Sequence, residues 1–224
     1  ATAHRCDGFI GLGGGSSMDT AKGCNFLLTN GGRMQDYWGK NKADQPMLPM
    51  VAIPTTAGTG SECQGFALIT DPKTHRKMAC GDSKAVPALV ILDPALTLTQ
   101  PPFVAACTAM DALSHAIETA VTNAATPLSL RWSHAAYQHI LPAFEGLLAD
   151  PQDVSARAQL QRGAAFAGAA IEASMLGMAH AMANPLTATF GTVHGQAVGN
   201  CLPAVIRFNG QSPDAAAGYH ALWQ

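Results

Sequence analysis

"DGFIGLGGGSSMDTAK", residues 7–22, changes character twice within a short span. An apolar run ends at Leu12, Gly13, Gly14 and Gly15 follow, and a helical segment opens at Ser16 or Ser17. A continuous apolar run of this length is a strand buried on both faces. Glycine lets the backbone turn sharply and approach a ligand closely. The helix that follows offers N–H groups without intrahelical partners and the positive end of its dipole, a setting for a phosphate. The stretch therefore reads as a pyrophosphate cradle. It reads equally as a plain strand-to-helix turn, with Ser16 as cap and Asp19 completing a capping box. Its spacing is not G-x-G-x-x-G, so the standard dinucleotide fingerprint is absent.

Outward from this turn, "MLPMVAIP" (47–54) is a second strand, entering "TTAGTGSE", and "ALVILD" (88–93) is a third. Apolar runs joined by helical crossovers suit a parallel sheet covered on both faces. Thr55, Thr56, Thr59 and Ser61 place four hydroxyls in the loop after the second strand, where open α/β sheets bind ligands. The alternative is a turn that satisfies its own backbone. Near residue 95 the texture changes to long helices. "PPFVAACTAMDALSHAIETAVTN" begins with proline, which a first turn tolerates. Thr126 and Asp153 are N-cap candidates, with Pro127 at the first helical position. Pro142 is expected to kink or end its helix. The stretch through His180 is helical as well. The fold class that follows is an α/β part over residues 1–95 and an all-helical part over 96–224.

The chain has 224 residues, 48% hydrophobic and 12% charged, with 13 Lys+Arg against 15 Asp+Glu. That is enough for a sizeable core, and no basic cluster points to nucleic acid or an anionic membrane. Cys6, Cys24, Cys63, Cys80, Cys107 and Cys201 form no C-x-x-C pair and read as reduced, mostly buried thiols. No apolar run reaches the length of a membrane span and the N-terminus lacks a signal-peptide pattern, so cytoplasmic residence is the expectation.

"MDALSHAIE" places Asp111 and His115 four apart, on one face of a helix. Alone, such a pair is more often a surface pair or a core histidine than a metal site. "HAMANPLTATFGTVHG" (180–195) adds His180 and His194 in another uncharged segment. Buried polar groups need partners, and one cation would satisfy all four. An Asp and three His suit Fe(II) or Zn(II); four protein ligands plus an open position lean toward iron. The Gly/Pro-punctuated stretch between the two histidines is expected to be the turn that brings them together. His4, His75, His134, His139 and His220 read as surface or solvated.

Taken in order, "GGGSSMDTAK", "PTTAGTGSE", "LDPALT", "MDALSHAIE", "HAMANPLTATFGTVHG" and "LPAVIRFN" resemble the iron-containing (group III) alcohol dehydrogenase family, over nearly the whole chain. The resemblance implies an N-terminal dinucleotide-binding domain, a helical metal-binding domain, and a fold shared with dehydroquinate synthase. It implies a pyrophosphate site at Gly14, Gly15, Ser16 and Asp19, a cofactor pocket lined by Thr55, Thr56 and Thr59, and Lys77 at the cofactor ribose. It implies that Asp111, His115, His180 and His194 are the metal ligands. The implied activity is hydride transfer between a small alcohol, or its aldehyde or ketone, and NAD or NADP, with Fe(II) first and Zn(II) second. Glycerol-dehydrogenase-like or dehydroquinate-synthase-like chemistry, or an inactive binding remnant, are the alternatives.

Two departures stand out. Relatives are longer at both ends, so the chain is expected to be a truncated form whose open sheet favours homo-oligomers. Many relatives carry a histidine where this chain has Asn184, and asparagine does not titrate near neutral pH.

Overall fold

The computed structural model describes residues 5–72, 74 and 77–224. The chain forms two compact units: residues 1–55 with 61–93, and residues 56–60 with 94–224. A five-residue excursion of the chain between Thr55 and Ser61 thus belongs to the second unit.

In the first unit, β1 (Phe9–Gly13), β3 (Met50–Pro54) and β6 (Leu89–Val90) form a parallel sheet in the order β1-β3-β6. Helix α1 (Gly15–Asn30) follows β1 directly and lies on one face, with Met18, Met50 and Ala52 in the small core between them. The sheet is not covered on both faces as expected. Ile10, Val51 and Leu89 stand side by side in register, and Ile10, Leu12, Leu89 and Ile91 are exposed on the face opposite α1. Period-two alternation puts that whole apolar row outward. The third strand is also shorter than residues 88–93.

A second sheet, unforeseen from the sequence, joins β2 (Gly39–Lys40), β5 (Lys77–Gly81) and β4 (Phe66–Thr70) in the order β2-β5-β4, with β4 and β5 antiparallel. Its core gathers Phe26 and Tyr37 with Ala67, Met78 and Cys80.

The second unit holds α2 (Pro102–Thr119), α3 (Pro127–Ala149), α4 (Val154–Glu172), α5 (Met178–Phe190), α6 (His194–Asn209) and α7 (Pro213–Leu222). Helix α2 is its axis, packed on α3, α4 and α6. Ala105, Ala109, Ala112 and Ala116 make a buried stripe at spacings of four and three, and such small side chains let helices approach closely. Thr126 and Asp153 cap α3 and α4 as read from the sequence. Pro142 does not end α3, which runs through it; Pro185 and Pro203 likewise lie inside α5 and α6.

Residues 56–60 are built into this unit through close backbone approaches. Gly60 has φ +63°, and a Cβ there would lie 2.5 Å from the Gly168 Cα on α4. A Cβ at Gly58 would lie 2.6 Å from Thr108 Cβ on α2. Ala57, the residue just before Gly58, is buried in the main helical core.

None of the cysteines is in a disulfide. Cys80, Cys107 and Cys201 are buried, Cys6 and Cys24 are exposed and Cys63 is between, so half rather than most are buried. Among the described residues no helix is long and apolar enough to cross a membrane.

Candidate metal centre

Helical geometry puts Asp111 and His115 one turn apart on α2, and both are buried. His180 stands in the first turn of α5, and His194 is the first residue of α6. The stretch between the two histidines is therefore not a turn, as the sequence suggested. It is most of a helix, closed by Gly191 in the left-handed conformation, and a short link. Glycine also sets where α6 begins: a Cβ on Gly195 would overlap the Cys107 carbonyl oxygen and sit 3.3 Å from Asp111 Cβ. The bare backbone at Gly195 is what lets α6 start against α2 and delivers His194 to Asp111.

The four side chains converge. Asp111 Oδ1 lies 3.5 Å from His115 Nε2, 3.2 Å from His180 Nε2 and 3.7 Å from His194 Nε2. The donor atoms of Asp111, His115 and His180 all lie within 4.8 Å of one another. The His115 and His180 rings stack at 4.6 Å, and His194 tilts against His180 at 5.5 Å. His194 is 30% exposed while the other three side chains are nearly enclosed, so the cluster opens to solvent on the His194 side.

The electrostatics are those of a site built for positive charge. Burial works to raise the Asp111 pKa, but the three imidazoles, His115 foremost, hold it well below the usual carboxylate range. Burial pushes His115 down to about 4, with Asp111 pulling the other way, so it is neutral near pH 7. His180 is opposed by burial but raised to about 9 by its hydrogen bonds to Asp111 and Glu118. A divalent ion bound at roughly 2.0–2.2 Å to each donor spaces neighbouring donors about 3.0–3.5 Å apart. The contacts of Asp111 Oδ1 lie in or just beyond that range. One carboxylate oxygen and three imidazole nitrogens can therefore hold a borderline dication with little movement.

In the first unit, Gly14 is the N-cap of α1, and Gly15 and Ser16 open the helix with no acidic residue in the first turn. Gly13 has φ +136°, and a Cβ there would lie 2.5 Å from Ser17 Oγ, so the turn requires glycine. Asp19 is not at this end. It is buried one turn on, where Oδ1 accepts from Ser61 Oγ at 2.6 Å and Oδ2 from the Leu68 N–H at 3.1 Å. Burial raises its pKa, while nearby Lys22 and these hydrogen bonds draw it back. Lys22, also fully buried, donates to Ser61 O, Ser61 Oγ and Phe66 O. Asp19 thus ties α1 to the loop rather than capping the helix. Thr55 donates its N–H to Gly13 O at 2.9 Å, joining the threonine and glycine turns at the ends of β3 and β1. Thr56 Oγ1 is buried without a hydrogen-bond partner. Thr59 is half-buried, and Lys77 is exposed at the start of β5.

Comparison with known families matches residues 1–94 to the iron-containing alcohol dehydrogenase family and residues 105–222 to the C-terminal domain of the Fe-containing alcohol dehydrogenases. The chain belongs to the iron-containing alcohol dehydrogenase family. It is 38% identical to Alcohol dehydrogenase 4 of Schizosaccharomyces pombe, over 96% of this chain and 51% of the relative. It is also 38% identical to the NAD-dependent methanol dehydrogenase of Bacillus methanolicus, over 92% of this chain and 54% of the relative. The structure resembles the alcohol dehydrogenase of Oenococcus oeni at 31% identity and TM-score 0.92, covering 99% of this chain and 58% of that one. The chain spans about half the length of the curated relatives it matches.

Beyond the residues read from the sequence, this family member brings one more charged group to the cluster. Glu118 is 3% exposed; its Oε2 is 2.5 Å from His180 Nδ1 and its Oε1 accepts the Ala179 N–H at 2.6 Å. The signal was in "MDALSHAIE": Asp111, His115 and Glu118 fall at i, i+4 and i+7, one stripe of α2. Asn184 is exposed on α5, one turn after His180. His134 and His139 are half-buried rather than fully solvated, and His139 Nδ1 meets Gln159 Oε1 at 2.5 Å. His220 is exposed, and His4 and His75 lie outside the described residues.

Proposed function

We propose that this chain carries a metal- and nicotinamide-dependent alcohol oxidoreductase, interconverting a small alcohol and its aldehyde or ketone. The observation that supports this most is the convergence of three imidazole Nε2 atoms on one oxygen of Asp111. Asp111, His115, His180 and His194 would hold the ion, with Fe(II) the first candidate and Zn(II) the second. When bound, the ion supplies Lewis acidity toward the substrate oxygen, and the dinucleotide supplies the redox couple.

The chain's own residues supply position and charge. Asp111 contributes the only formal negative charge among the four donors, so the ion's charge is not cancelled. Helices α2, α5 and α6 fix the donors on ordered backbone, which favours a preorganised site. Gly14, Gly15 and Ser16 offer a helix N-terminus free of acidic side chains to a pyrophosphate. Thr55, Thr56, Thr59 and Lys77 are the further cofactor candidates, and the name of the Bacillus methanolicus relative makes NAD the first to test. Asn184 offers hydrogen bonds but takes up no proton near neutral pH.

Anaerobic loading with Fe(II) or Zn(II), metal analysis, titration with NADH and NADPH, and assays on small primary and secondary alcohols test the proposal. The expected result is one metal ion per chain, lost in His194→Ala, together with alcohol-dependent reduction of the dinucleotide. A folded chain that takes up no metal would refute it.

A further inference from the structure

We propose that Glu118 is the positioning residue of the metal centre: one carboxylate fixes the ring of His180, its tautomer, and the helix end that carries it. The proposal rests on the metal-site reading above.

Seven residues after Asp111 is close to two full helical turns, so Glu118 projects from the same face of α2 as both α2 ligands. It meets His180 from behind. A carboxylate accepts hydrogen bonds and donates none, so the 2.5 Å contact of Oε2 with Nδ1 places a proton on Nδ1. In the neutral ring this leaves the lone pair on Nε2, the nitrogen that faces Asp111 Oδ1 at 3.2 Å. The opposite tautomer, with the proton on Nε2, cannot ligate through that atom.

The second oxygen acts on the backbone. Oε1 accepts the Ala179 N–H, in the first turn of α5, where helix N–H groups lack intrahelical partners. Gly177, the N-cap of α5, allows this approach: a Cβ there would lie 2.9 Å from Oε1 and 3.2 Å from Cδ. A single side chain therefore sets both the position of residue 180 and the rotation of its ring. His115 differs, since its Nδ1 is buried without a hydrogen-bond partner. Carboxylates behind ligating histidines raise ligand basicity and hold ring orientation, and losing one typically costs 10–100-fold in metal affinity.

The test uses Co(II), whose visible absorption reports ligand geometry, with affinity measured by chelator competition on the full chain. Thermal melts of the metal-free proteins serve as the control for folding. Glu118→Gln keeps an oxygen for the Ala179 N–H, but its amide can also donate to Nδ1 and so permits the wrong tautomer. The expected result is a metal-free Glu118→Gln as stable as wild type within a few degrees, with about tenfold weaker Co(II) binding and an altered spectrum. Glu118→Ala is expected to lose up to about 100-fold. A folded Glu118→Gln that binds Co(II) within twofold of wild type, with the same spectrum, overturns the proposal. So does a Glu118→Gln that fails to fold, because Glu118 would then be a structural residue. Failure of the metal reading looks different: folded wild type itself would take up no Co(II).

Discussion

Glu62→Gln is expected to make the protein less sensitive to rising pH. Glu62 lies in the short turn Ser61–Cys63, 1% exposed, with neither carboxylate oxygen in a well-formed hydrogen bond. Burial pushes its pKa from 4.5 up to about 7, and its own backbone N–H and the Lys22 ammonium recover only part of the cost of ionisation. The folded state therefore keeps the proton through a range where the unfolded chain has lost it. Stability is fully present below about pH 4.5 and falls as pH rises through about 7, because the unfolded state binds fewer protons there. At roughly 1.4 kcal/mol per pH unit, the displacement from 4.5 to about 7 makes about 3 kcal/mol. Glutamine is neutral throughout. Urea unfolding of both proteins between pH 4 and 8 should show a stability difference that moves in favour of the variant by about 3 kcal/mol across that range. The difference matters more than either curve, since neutral buried His115 gives wild type an opposite slope below pH 6.5. A difference that stays constant with pH would show that Glu62 ionises freely in the folded protein and would refute the reasoning.

Three further outcomes are expected. Gly60→Ala combines a positive φ with a 2.5 Å approach to Gly168, and should lower unfolding free energy by about 2–4 kcal/mol in urea titrations; a neutral effect would mean that the loop can move away. Gly195→Ala should force α6 off α2 and carry His194 with it, weakening Co(II) binding at least tenfold by chelator competition, whereas Gly210→Ala, beyond the end of α6, should leave it unchanged. Saturation with Co(II) at 100 times its dissociation constant should stabilise wild type by about 2.7 kcal/mol, measured from the shift in urea midpoint, and should not do so for His180→Ala.

The sequence was most legible where one local pattern has one physical solution. A strand, three glycines and a helix in "FIGLGGGSSMDTAK", and the caps at Thr126 and Asp153, are of that kind. The second sheet was not, because β2 is only two residues long and "FALIT" and "KMACG" are short runs whose pairing is set by tertiary contacts. Prolines misled in the other direction. Pro142 suggested a kink or an end and Pro185 lay in an expected turn, yet both stand inside helices, α3 being held by its packing on α2 and α4. Asp19 looked like a helix-end residue from spacing alone, while Ser61 and the Leu68 N–H, far along the chain, claim its carboxylate. In the candidate site, Asp111 and His115 were recognisable as a helical pair, His180 and His194 as histidines of an uncharged segment that one cation could join to them, and the resemblance named the four as a set. Glu118 passed unnoticed because an isolated glutamate at the end of a helical stretch looks the same whether it faces water or a histidine.

The excursion at residues 56–60 bears on how such a chain can be recombined. A cut near residue 94, where the two family matches divide, does not separate two self-sufficient modules. The helical half would lose Ala57 from its core and leave the Gly168 surface of α4 without its backbone partner. A chimera that takes its first half from one relative and its second from another inherits a mismatch unless residues 58 and 60 are compatible with residues 108 and 168. Those positions are then under joint constraint, and a library of exchanged halves should recover fit members only where both pairs travel together.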